Sequence, residues 1–149
     1  FNGEKSEFKN LIAEGITEFS EVKFEKNVEF LKCDFEEDGT VKFEDVEFKG
    51  DSTFSLNNFK SNVEFVNVKF DNSIFKNSTF KSETKFVDIS CLLTFLECSF
   101  GDIAYFKKNK EQINEGVIIF HQVIFKEPKY VKFINLVLSK TSFLLTDMK

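Results

Sequence analysis

The sequence predicts an all-β chain wound as a four-walled β-helix, and three observations carry that prediction. Phe occurs 22 times in 149 residues, while Trp is absent and Pro occurs once. Phe recurs in steps of mostly five and six residues, alternating along the chain. A small or β-branched residue stands two positions before most of these centres.

The centres run Phe19, Phe24, Phe30, Phe35, then Phe43, Phe48, Phe54, Phe59, then Phe65, Phe70, Phe75, Phe80. Phe86, Cys91, Phe95, Phe100 and Phe106 continue the series. Val22, Val28, Cys33, Val41, Val46, Val63, Val68, Ser73 and Ser78 fill the small slots, so the unit reads V-x-F, as in VEFLKCDF and VEFVNVKF. On a helix, centres five apart would lie about 140° away from one another and scatter the Phe side chains. On a strand, V-x-F turns both apolar residues to one face and the middle residue outward. Strict alternation breaks after each Phe, so each unit is a three-residue strand followed by a short corner. Asp45, Asn67, Asn72, Asn77 and Asp88 supply the polar corner residues that tight turns favour.

Strands this short cannot pair as hairpins. Their backbone groups are satisfied only by stacking on an equivalent strand one coil away. Four units make a coil of about 20–22 residues. The outward residues support that period. Glu18, Lys42, Glu64 and Lys85 fall in one column, and Lys23, Glu47, Lys69 and Ser90 in a second, with alternating charge. Rungs lie ~4.8 Å apart, where opposite charges help. Each exposed pair contributes under about 1 kcal/mol, and its value is in register. A third column holds Glu29, Thr53, Ile74 and Thr94, and a fourth Asp34, Asn58, Thr79 and Ser99. Beyond the first rung these lose formal charge. They read either as a solvated β surface or as a flat contact surface for another protein.

Tandem V-x-F-x-x-V-x-F resembles the pentapeptide-repeat family in its Phe-rich subtype. The resemblance covers residues 8–106, with Phe8 and Ala13 as the first centres, and resumes over 118–143 at Phe120, Phe125, Phe133, Leu138 and Phe143. It implies a right-handed quadrilateral β-helix forming a single domain over 1–149. Two departures stand out: Val replaces the usual Ala in many small slots, and six-residue steps alternate with fives. They imply a wider coil or irregular corners. Some members of that family bind a type II topoisomerase by imitating DNA. That role needs a strongly anionic face, whereas Lys alternates with Glu here.

Three segments break the pattern: Glu36–Gly39, which adds two residues at one corner, the polar excursion 107–117, and Lys126–Tyr130 with the single Pro. After the excursion, Ile119, Ile124 and Val137 occupy outward slots. Apolar residues gathered there suggest a covered wall, and the C-terminal part is the expected route to a homodimer. Candidate partner contacts are therefore Thr53, Ile74, Thr94, Lys107, Lys108, Ile119 and Ile124. The chain begins without Met and ends in mid-pattern with no evident cap, which reads as a processed or excised piece.

Little in the sequence points to chemistry. His121 is the sole histidine and reads as an exposed corner residue. Cys33, Cys91 and Cys98 have neither CxxC spacing nor an even count; they read as core fillers in a reducing, cytoplasmic setting. Carboxylates are plentiful but face outward beside Lys, and a filled solenoid has no cleft in which to set them apart. Arg is absent, which weakens any nucleic-acid reading. The net charge is -5 with both signs interspersed. No run of ~18 apolar residues is present to span a membrane. The expectation is a non-catalytic protein-interaction scaffold without a cofactor or metal, its partner protein unknown.

Overall fold

A computed structural model describes residues 4–107, 116–127, 130–134, 138–144 and 147–148, with side chains through residue 134. Every regular element there is a β-strand, and the strands stack in parallel as a β-solenoid. Wall one is a six-stranded sheet containing Ile16–Ser20, Thr40–Glu44 and Asn62–Val66. Wall four is a seven-stranded sheet of two-residue strands, such as Asn58–Phe59 and Thr79–Phe80. Walls two and three share one eight-stranded sheet. The cross-section is four-sided, yet the sheets number three.

The shared sheet corrects the expectation of a corner after every unit. Single strands Glu47–Ser55, Lys69–Lys76 and Ser90–Leu96 run through the corner without a turn. The corner also shortens rung by rung: Phe48 to Phe54, Phe70 to Phe75, Cys91 to Phe95. Register shifts after Phe70 absorb the lost residues. Gly50 is needed here because a Cβ would fall 2.6 Å from Asn27 Oδ1 and 2.8 Å from Asn27 N. Asn27 Oδ1 meanwhile accepts the Asp51 N–H at 3.1 Å.

Two of the other three corners turn through left-handed residues. Glu21, Asp45, Asn67 and Asp88 have φ of 53–54° between walls one and two. Asn10, Lys32, Leu56, Asn77, Glu97 and Gln122 have φ of 50–57° between walls three and four. Asn and Asp tolerate this conformation best. From Asn10 through Glu97 the N–H of each still bonds across rungs, as Asn67 N–H does to Val87 O at 2.9 Å. Of the predicted corner residues, Asn72 alone lacks a left-handed φ; its Nδ2 donates to Asp51 Oδ1 at 2.7 Å.

Stacked partners lie 24 residues apart where they span Glu36–Gly39, then 22, 21 and 20 apart farther on. Phe fills the interior in columns. Phe43 lies over Phe65 at 4.8 Å, Phe65 over Phe86 at 4.8 Å, and Phe86 over Phe106 at 5.0 Å, all nearly parallel. Between walls the rings meet edge to face, as Phe54 meets Phe65 at 6.1 Å and 88°. Both arrangements suit the ring quadrupole. One inner column is polar: Cys33, Asn57, Ser78 and Cys98. The Cys98 thiol donates to Phe75 O at 3.3 Å, and Ser78 Oγ to Phe54 O at 3.1 Å.

Candidate interaction surface

The outward columns are in the register the sequence predicts. Glu18, Lys42, Glu64 and Lys85 pair in order on wall one, and Lys23, Glu47, Lys69 and Ser90 on wall two. Lys85 Nζ bonds Glu64 at 3.0 Å and Glu83 at 2.8 Å; these carboxylates hold its ammonium above the usual value, Glu83 most strongly. Lys42 reaches Glu44, two residues along its own strand, at 2.6 Å, and not a rung neighbour. Glu47 receives Lys23 at 3.4 Å and Lys69 at 3.8 Å. Walls one and two are therefore laced by internal ion pairs.

Wall three begins with like charges in contact, Glu7 over Glu29. Lys5 and Lys9 bridge them at 2.8–3.4 Å and hold both carboxyls below their ordinary range, Lys5 being the larger influence. Above this cluster the column becomes Thr53, Ile74, Thr94 and Ile119, all half-buried and each paired to the next. Wall four carries Ile12, Asp34, Asn58, Thr79, Ser99 and Ile124 in sequence.

Four of the seven predicted contacts, Thr53, Ile74, Thr94 and Ile119, thus form one continuous stripe. Ile124 lies on the adjoining wall, 38% exposed. Lys107 ends a strand of wall one, in a different sheet, beside Val87 and Ile134. Lys108 and Val137 lie outside the described residues, as does most of the polar excursion. His121 is half-buried at the end of Gly116–His121, and not the exposed corner residue expected; its carbonyl accepts the Glu97 N–H at 2.9 Å. Sequence reasoning missed Ile12 and Ile16, 70% and 81% exposed. The signal was present: both are outward residues of first-coil strands.

Cys33 and Cys98 are buried, and desolvation raises both thiols, Cys98 to about 12. A thiol so placed is a poor nucleophile. Cys91 is half-buried in a Phe slot. A depression of about 360 Å³ is lined by Glu14, Gly15, Glu36, Glu37 and Asp38, and another of about 170 Å³ by Asp45, Val46, Glu47, Asn67 and Lys69. Both are open dents on the outside of corners. Among the described residues, no three His, Cys, Asp or Glu side chains are arranged to hold a metal ion. No described helix is long and apolar enough to cross a membrane. The chain matches no protein-family model, no curated protein and no solved structure.

Proposed function

We propose that the chain is a non-catalytic repeat scaffold of the Phe-rich pentapeptide-repeat kind, which binds another protein through walls three and four, where the outward columns lose charge beyond the first coils. The observation that carries this reading is the filled interior. The wall centres from Phe24 to Phe125 are buried in mutual contact, Cys91 alone being partly exposed, so recognition is left to the outer surface. There the ion-paired walls one and two contrast with the Thr53–Ile119 stripe, whose hydroxyl and methyl groups can be desolvated without stranding a charge. The unpaired buried thiols fit a reducing compartment, the cytoplasm. The topoisomerase-binding alternative calls for an anionic face, and the lysines of walls one and two neutralise the carboxylates around them.

The test is capture from native extract with the wild-type chain and with a Thr53→Lys/Thr94→Lys variant. Both substitutions lie on half-buried outward positions and leave the Phe columns intact. A protein retained by the wild type and lost by the variant supports the reading. Equal retention by both, or none by either, counts against it.

A further inference from the structure

Wall four is laid out so that it matches itself upside down. Over its first six rungs the outward column reads Ile12, Asp34, Asn58, Thr79, Ser99, Ile124, apolar at either end of that stretch and polar between, and Asp147 follows on the seventh rung. A two-fold axis along the strands, between the Asn58 and Thr79 rungs, sets Ile12 against the partner's Ile124. The same operation sets Asp34 against the partner's Ser99, and Asn58 against the partner's Thr79. Because it preserves the strand direction, each edge of the wall meets the same edge of the other copy.

Both edges are then complementary in charge. Along the left-handed edge stand Asn10, Lys32, Leu56, Asn77, Glu97 and Gln122. The two-fold brings Lys32 to the partner's Glu97, and Leu56 to the partner's Asn77. Along the other edge, the residues after each wall-four centre are Glu14, Glu36, Lys60, Lys81, Gly101 and Lys126, stacked through backbone bonds. Here Glu14 meets the partner's Lys126. Lys32, Glu97, Glu14 and Lys126 are all exposed and make no ion pair among the described residues, unlike the laced charges of walls one and two. The single like-charge meeting is Lys81 with the partner's Lys60, which Glu36 and Asp34 already hold at 2.8 and 3.4 Å.

Wall three lacks this property. Turned the same way, wall three would press Glu7 and Glu29 against Ile119 and Thr94, burying carboxylates on apolar groups.

We propose that two copies of this chain associate antiparallel through wall four, as an isologous dimer held by the Ile12–Ile124 contacts and the Lys32–Glu97 and Glu14–Lys126 ion pairs. The proposal rests on the reading of walls three and four as contact surfaces and assigns one of them its partner. The stripe on wall three stays free for another protein.

Analytical ultracentrifugation of the wild type, K32E, E97K and the K32E/E97K double variant tests it. All these positions are exposed corners, and Glu and Lys already occupy left-handed corners elsewhere, so the monomer fold is undisturbed, which thermal unfolding checks. The wild type should dimerise with rising concentration, more weakly in high salt. Each single variant should weaken the dimer about tenfold or more, since two repelling pairs replace two attracting ones. The double variant, and an equimolar mixture of the two singles, should restore it. Lys81→Glu should tighten it, and Ile12→Asp should loosen it. A wild-type monomer at every concentration up to about 1 mM, or a dimer indifferent to K32E and E97K, overturns the proposal. Either result leaves the wall-three capture experiment to decide the scaffold reading on its own.

Discussion

Asn57 Oδ1 accepts the backbone N–H of Cys33 at 2.9 Å, one coil away, while its Nδ2 donates to Phe30 O at 3.0 Å. The amide is buried, in a slot that other rungs fill with Cys, Ser or Val. Truncation strands one backbone donor and one acceptor in the interior. Asn57→Ala should therefore cost about 2–4 kcal/mol, read from urea denaturation midpoints. Asn57→Ser should cost less, because Ser78 already serves the equivalent slot.

Depth in the stack sets the worth of each ring. Phe65 is fully buried, flanked by Phe43 and Phe86 at 4.8 Å and edged by Phe54 and Phe75. Phe65→Ala should destabilise by about 3–5 kcal/mol. Phe8 is half-buried in the first coil, stacked on Phe30 at 4.5 Å. Phe8→Ala should cost about half as much, because less apolar area leaves water. Equal losses in the two variants would contradict the stacked interior.

Leu56 holds a left-handed φ of 57° and is 48% exposed. A Leu side chain loses about 1–2 kcal/mol in that conformation, where Asn is at ease, as Asn77 shows on the next rung. Leu56→Asn should raise the melting temperature, with a gain of about 1 kcal/mol. Differential scanning calorimetry reads it directly.

Acid and base should each open a separate limb of instability. Lys5 holds Glu7 and Glu29 below the model-compound value of 4.5, and Lys49 does the same for Glu25. Their contribution is complete above pH 4.5 and disappears as pH falls through the lower folded-state values. Lys5, Lys9, Lys42, Lys60 and Lys85 are raised above 10.5, each chiefly by a bonded glutamate. Their contribution is complete below pH 10.5 and disappears as pH rises past the raised values. Urea midpoints against pH should show both limbs, and added salt should flatten them because these groups lie at the surface, in reach of ions.

The inward pattern was legible because it is redundant: many copies of V-x-F cannot all be accidental, and Phe43 does lie over Phe65. The outward columns followed from the same arithmetic, down to Glu64 beside Lys85. Two features resisted. Asn57 is neither apolar nor as small as its column neighbours, and only the slot two places before Phe59 marks it as interior. The merger of walls two and three was hidden because the steps after Phe48, Phe70 and Cys91 shorten, and length alone does not say whether the backbone turns or stays extended. Of the candidate surface, the Thr53–Ile119 stripe was visible as a column. The symmetry of wall four was not, since it emerges only when both corners are placed beside it.

The spacing of stacked partners, never far from one coil, also governs how the molecule comes apart. Among the described residues almost every contact reaches back a single lap, and no distant clasp ties one end to the other. Force applied along the axis should unspool the chain lap by lap, each step releasing some twenty-odd residues and one ring from each wall. The laps beside Glu36–Gly39 are the longest of residues 4–107 and would give the longest of those steps there, a fingerprint by which a pulling trace could be read against the sequence.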